Sequence, residues 1–440
     1  MVNRFFFKQI DNSALIVFRI MFGLLLFLES VGAIFTGWVR LAMIEPTFTF
    51  SFIGFEWLQP LPGIGMYFYY LLMGVFGFMV MIGYRYRLSI IMFTLMWTAV
   101  YLMQKSFYNN HYYFLILLSG IMIFLPANRA YSLDAKRKPE IRSDSMPAWC
   151  KWIVVLQVWI VYTFASVAKL YPDWLDGTVA TEFMSRRADY PIVGAWLQQT
   201  WVHYVIIYFG ILYDLLVVPL LLYKRTRIWA FFFSIFFHIF NSIVFQIGIF
   251  PYLSLAFSLF FFEPKNIAGI FLKSKKVFSE NIQKVPQHAG LIKSVFILYL
   301  GVQLLMPLRH WVIPGDVLWT EEGHRMSWRM MLRTKSGFIK YKVVNKENGE
   351  INYINPVDSL TNKQMAALPN KPDFIWQYAQ RLKKQYQKKG LDVAVYAIGK
   401  VSVNNSPFAP LIDPKVDLAS TDWSAWRHHD WILPRETDKK

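Results

Sequence analysis

Apolar runs dominate the chain as far as about residue 307 and then give way to mixed sequence. Nine runs read as helical crossings of a bilayer, roughly 14–36, 66–83, 88–103, 112–126, 152–170, 202–223, 228–246, 250–262 and 291–307. The fourth and eighth are short for a straight crossing. Past the ninth the period changes. Residues 338–344 alternate, 345–349 have turn chemistry and Ile351–Ile354 follows, which predicts a hairpin. Residues 373–388 have helical spacing and stop at Gly390, and 391–403 read as another strand. The expected fold is an α-helical polytopic membrane protein, residues 1–307, followed by a water-facing α+β, β-rich domain, residues 308–440.

Composition agrees. The 440 residues are 55% hydrophobic and 18% aromatic, a membrane protein's balance. The formal net charge of +18 would suit a nucleic-acid surface, but the basic residues fall between apolar runs, where they set orientation. Arg4 and Lys8, Arg85 and Arg87, Arg129 with 136–138, Lys224, Arg225 and Arg227, and Lys265 with Lys273, Lys275 and Lys276 occupy every second loop. Among the other loops, Arg40, Lys105, Arg186 and Arg187 are the exceptions. The positive-inside rule then puts the N-terminus in the cytoplasm and the C-terminal domain outside it. Membrane lipids are expected partners and nucleic acid is not. The first run exceeds a signal-peptide core and lacks a small-residue cleavage site, so it reads as retained. The single cysteine, Cys150, leaves no internal disulfide and no cysteine-rich metal site.

Polar groups inside such runs are costly and mark candidate sites. Lys169 ends the fifth run amid Val167, Leu170 and Tyr171, just before Pro172 breaks the helix. Burial there favours the uncharged amine, although a lysine at a helix end also snorkels to water. Lys105 and Asn109-Asn110-His111 enter the fourth run. His238 and Asn241 share one face of the seventh, with Gln246 off it. Three elements thus deliver polar groups to one depth on the side away from the N-terminus. Plainer readings stand beside this one: an Asn-Asn turn, a core histidine bonded to a neighbouring helix, and an anchoring role for Arg19. The histidines have no metal-ligand spacing, and no nucleotide loop, nucleophile elbow or H-E-x-x-H motif occurs.

Taken in order, these stretches resemble the vitamin K-dependent gamma-carboxylases and the wider horizontally transferred transmembrane-domain family. Residues 13–26 are similar to the family's first span, and 57–62 to its aromatic-proline loop. Residues 106–113 (S-F-Y-N-N-H-Y-Y) resemble S-W-N-N-H-S-Y, and 167–174 (V-A-K-L-Y-P-D-W) resemble V-K-K-L-D-A-D-W. Residues 237–252 resemble F-H-x-x-N-S-x-x-F-x-I-G-M-F-S-Y. In the tail, 327–331 (S-W-R-M-M), 353–356 and 413–417 (D-P-K-V-D) resemble S-W-D-M-M, Y-L-N-P and D-P-R-V-D.

The resemblance implies an enzyme that converts protein glutamate to γ-carboxyglutamate. The γ-hydrogen is too weak an acid for side chains whose pKa values reach roughly 10–13. In the family a reduced vitamin K is deprotonated, reacts with O2 and becomes a strong base. The resulting carbanion captures CO2, and the quinone leaves as the epoxide. No metal is involved. The initiating base would be Lys169, with His111 stabilising oxyanion charge and Asn110, Lys105, His238 and Asn241 around the quinol. The quinol, a menaquinol type in a bacterial inner membrane or vitamin K in an ER membrane, would enter from the bilayer. The tail would present a Glu-containing peptide or protein on Trp328, Arg333, Lys335 and Lys415. Departures are specific. The double lysine is Ala168-Lys169, the aspartate of S-W-D-M-M is Arg329, and Arg333 and Lys335 stand where animal members carry His and Arg. Lys415 replaces an arginine and loses its fork. The animal disulfide cannot form, and the long C-terminal region of animal members is missing. Two other classes remain: a quinol epoxidase that does not carboxylate protein, and a non-enzymatic transporter or assembly factor.

Overall fold

The computed structural model describes residues 2–435. Residues 436–440, the end of the expected C-terminal domain, lie outside the described residues. Nine apolar helices form a bundle: α1 (Ser13–Phe35), α2 (Gly65–Ile82), α3 (Tyr86–Met103), α4 (Asn110–Phe124), α5 (Trp149–Val167), α6 (Thr200–Leu222), α7 (Arg227–Phe245), α8 (Phe250–Phe257, continued by a 3-10 turn to Phe261) and α9 (Ala289–Val312). Seven of them are long and apolar enough to cross a membrane. The two short ones, α4 and α8, fall where the sequence predicts the short runs.

Both short helices nevertheless run from one pole of the bundle to the other. Asn110, at the start of α4, donates to the Arg329 carbonyl in the tail at 3.1 Å. Just past its far end, Ala127 accepts from Arg19 near the start of α1 at 3.1 Å. In α8, Phe250 stacks on His111, while Phe260 of its 3-10 extension packs on Phe18 of α1. The first pole is tied together by a small sheet, in which β1 (Gln9–Asp11) pairs antiparallel with β2 (Ser145–Pro147). It is locked by the buried pair Lys275–Asp11 at 2.9 Å.

Close backbone approach explains two glycines. A Cβ on Gly77 of α2 would meet the Phe27 backbone nitrogen of α1 at 2.7 Å, and one on Gly23 would run into the Met81 backbone. Small residues let membrane helices touch backbone to backbone.

In the tail, β3 (Lys335–Asn345) pairs antiparallel with β4 (Ile351–Ile354) and β5 (Val393–Val403), in the order β4-β3-β5. The hairpin, the helix α10 (Pro372–Gln387) and the last strand lie where sequence periodicity puts them. The inner face of the sheet, with Ile339, Tyr341, Val343, Val395 and Ala397, packs on Phe374, Ile375 and Tyr378 of α10. Phe50, from the α1–α2 loop, enters this core and stacks on Phe374 at 4.5 Å. The tail is therefore seated on the pole opposite the N-terminus.

Candidate functional site

Helix α5 ends at Val167. The next residues turn tightly, Lys169 N–H bonding to the Ser166 carbonyl at 3.0 Å, before Pro172 opens a short helix. The Ser166 hydroxyl donates to the Ile211 carbonyl of α6 at 2.9 Å, which fixes where the two helices cross. That crossing carries the Lys169 ammonium to the Asp214 carboxylate, one helical turn further along α6. Lys169 is 9% exposed and Asp214 5%. The lone amine expected in apolar surroundings is corrected here: Lys169 has a buried carboxylate partner. The physical reason is that a buried ammonium without a counter-charge is costly, and Asp214 supplies one.

A cavity of about 100 Å³ lies against this pair. Lys169, Asp214, His111, His238 and Asn241 line it, together with apolar side chains of α6, α7 and α8 and with Met330 and Met331 from the tail. His111 lies in the first turn of α4 and stacks on Phe250 with centroids 4.4 Å apart. Neither of its ring nitrogens has a hydrogen-bond partner among the described residues. His238 differs. Its Nε2 is bonded to the hydroxyls of Tyr162 at 2.9 Å and Tyr213 at 3.1 Å. The plainer reading, a histidine tied to neighbouring helices, thus accounts for one of its nitrogens. Asn241 donates back to the Phe237 carbonyl of its own helix at 2.9 Å and lines the cavity. Gln246 is exposed and bonds to Tyr190 at 3.2 Å, away from the cavity.

Four of the ten candidate residues converge here: Lys169, His111, His238 and Asn241. The other six do not line this cavity. Asn109 caps α4, accepting from Tyr112 N–H at 2.7 Å, and this turns Asn110 away from the cavity. Asn110 instead accepts from the Tyr108 hydroxyl at 2.9 Å and holds the Arg329 carbonyl. Lys105 is drawn off by Asp373 at 2.5 Å and by the Phe374 ring. Trp328 is 1% exposed, wedged against Tyr113 and Phe114 of α4, so it anchors the tail rather than offering a peptide surface. Left-handed backbone at Met326, Trp328 and Met331 lets this segment double back into the bundle. Arg333 and Lys335 do come together, but around Glu321. Arg333 Nε lies 2.9 Å and Lys335 Nζ 3.5 Å from its carboxylate. Burial pushes the Lys335 amine down to about 8, against the pull of Glu321. Lys415 is exposed on a turn held by Asp413.

Sequence reasoning missed Asp214, Tyr162, Tyr213 and the two methionines. Asp214 had a signal, a carboxylate inside an apolar run. The others are ordinary lipophilic residues, and only the packing brings them in. Among the described residues no cluster of three or more His, Cys, Asp or Glu could hold a metal ion.

A bundle of nine apolar helices, seven of them long and apolar enough to cross a membrane, with a buried lysine–carboxylate pair, two imidazoles and a small cavity at one pole defines a membrane protein with a buried polar site. Comparison with known families gives the class: residues 7–265, more than half of the chain, match the HTTM domain. Residues 288–438 match the vitamin K-dependent gamma-carboxylase lumenal domain. The chain therefore belongs to the vitamin K-dependent gamma-carboxylase family. No solved structure matches it.

Proposed function

We propose that the protein is an integral-membrane γ-glutamyl carboxylase that uses a reduced vitamin K-type quinone, O2 and CO2, with coupled quinone epoxidation. The observation that carries this reading is the convergence of Lys169 and the unpartnered His111 on one largely apolar cavity. An aromatic diol has an apolar ring and two hydroxyl groups. The lining matches that chemistry, with Phe237, Phe245, Ile247 and Phe250 for the ring and Lys169, His111 and Asn241 for the oxygens. At about 100 Å³ the cavity is smaller than the roughly 300 Å³ of a typical small-molecule site, so flexible Met330 and Met331 must shift to admit the ring.

When bound, the quinol together with O2 supplies the strong base that no side chain can supply. Lys169 accepts the first hydroxyl proton as the free amine, its own proton having left to solvent, and the Asp214 carboxylate orients it and balances the ammonium that forms. His111 holds developing oxyanion charge through a ring N–H. The apolar walls keep bulk water from quenching a carbanion. On this reading residues 1–307 form the membrane unit and 308–440 the water-facing unit that presents the glutamate. Helix α9 runs five residues past that boundary, to Val312. The N-terminal pole would face the cytoplasm, where the basic loops lie.

The test is incorporation of labelled CO2 into a glutamate-containing peptide by the purified chain with reduced menaquinone or vitamin K and O2. Labelled γ-carboxyglutamate with matching epoxide supports the proposal. Epoxide at a rate independent of the peptide, with no label, would instead identify an epoxidase. Solute flux that persists without quinone and O2 would identify a transporter.

A further inference from the structure

A groove of about 990 Å³ opens at the pole that carries the N-terminus, at the other end of the bundle from Lys169. Its floor is apolar. Ile20 lies about two turns inside α1, roughly 10 Å from the helix start, and Ile82 and Leu133 complete the floor. Its rim carries Arg129, Lys136, Arg142 and Lys284 against Asp144 and Glu280. Asp144 already faces Lys275 at 3.7 Å, and Arg142 gives its Nε to the Ala135 carbonyl at 2.8 Å. Arg129, Lys136 and Lys284 are exposed, and their side chains have no hydrogen bond or ion pair with any described residue. The rim is fixed in shape. The buried Arg19 guanidinium donates to the carbonyls of Ala127 at 3.1 Å, Ala130 at 3.4 Å and Tyr131 at 2.5 Å.

We propose that this groove binds one anionic phospholipid, with its phosphodiester headgroup on Arg129, Lys136 and Lys284 and an acyl chain over Ile20, Ile82 and Leu133. A free phosphate would use the rim and leave the apolar floor wet. A lipid covers both, and the groove lies at the ends of α1 and α2, the level where headgroups give way to acyl chains. Basic pockets between membrane helices on one side of the bilayer take anionic headgroups for this reason. The inference does not depend on the chemistry at the opposite pole.

The test uses the full chain purified in phosphatidylcholine-containing micelles, loaded with phosphatidylglycerol and washed, with retained lipid counted by mass spectrometry. The wild type is expected to keep about one phosphatidylglycerol per chain. Each rim cation removed should weaken retention about fivefold, and Arg129→Gln/Lys136→Gln/Lys284→Gln on the order of a hundredfold. Lys265→Gln/Lys273→Gln/Lys276→Gln removes three cations from the same pole outside the groove and should retain lipid like the wild type. Leu133→Trp fills the floor with charge unchanged and should also lose the lipid, which keeps the test open if the triple rim variant does not fold. Excess inorganic phosphate should fail to displace the lipid. Unchanged retention in the rim variant, equal loss in both triple variants, or displacement by inorganic phosphate would overturn the proposal.

Discussion

Lys169 and Asp214 left water together, at a desolvation penalty of several kcal/mol per ion, and only their mutual attraction offsets it. Asp214→Ala should therefore destabilise the protein by about 3–5 kcal/mol, seen as a lower unfolding temperature in detergent. Lys169→Met/Asp214→Leu should recover most of that stability and still be inactive. Recovery of both would show that the pair serves the fold alone. Lys169 was legible in the sequence because an apolar run leads to it and Pro172 stops the helix behind it. Its partner was harder to find, since Asp214 is 45 residues away and the Ser166–Ile211 contact decides the pairing. Asn110, Lys105 and Trp328 show the same limit from the other side. Sequence places a polar or aromatic residue at a depth, but the facing direction comes from neighbours such as Asn109 and Asp373.

At the scale of elements, hydropathy and period identify all nine apolar helices, seven of them long enough to cross a membrane, together with the three tail strands and the long tail helix. The signal is dense there, because every residue of a crossing must suit lipid or a neighbouring helix. The cavity is not legible in this way, since it lies between five helices, α4 to α8, and a tail segment with left-handed backbone. Gly210 of α6 lines it, and a Cβ added there meets nothing within 4 Å. Gly210→Leu should therefore fold normally but project bulk into open space at the site. The expected result is a raised KM for the quinol, with the peptide KM unchanged. A wild-type quinol KM would place the ring elsewhere.

For the whole molecule, the junction between bundle and tail is a polar joint. Asp373, in the first turn of α10, sits 2.5 Å from Lys105 and 2.8 Å from Arg325. Burial alone would raise the Asp373 carboxyl, but Arg325 and Lys105 outweigh it and hold it well below the usual carboxylate range. Because the folded value is depressed, the joint's contribution is complete above the unfolded value of about 3.9 and is lost as pH falls through the folded one. Unfolding temperature should thus drop between neutral and strongly acidic pH more steeply in the wild type than in Asp373→Asn. Parallel curves would remove the joint from the account. The catalytic proposal places the first proton acceptor at Lys169, ahead of any peptide chemistry. The most direct test is quinone epoxide formation by Lys169→Ala with the glutamate peptide, O2 and CO2 present, in protein shown to be folded. The account predicts loss by about 10²–10⁴-fold, the range of a missing general base, with carboxylation lost in parallel. Epoxide formation near the wild-type rate would contradict it.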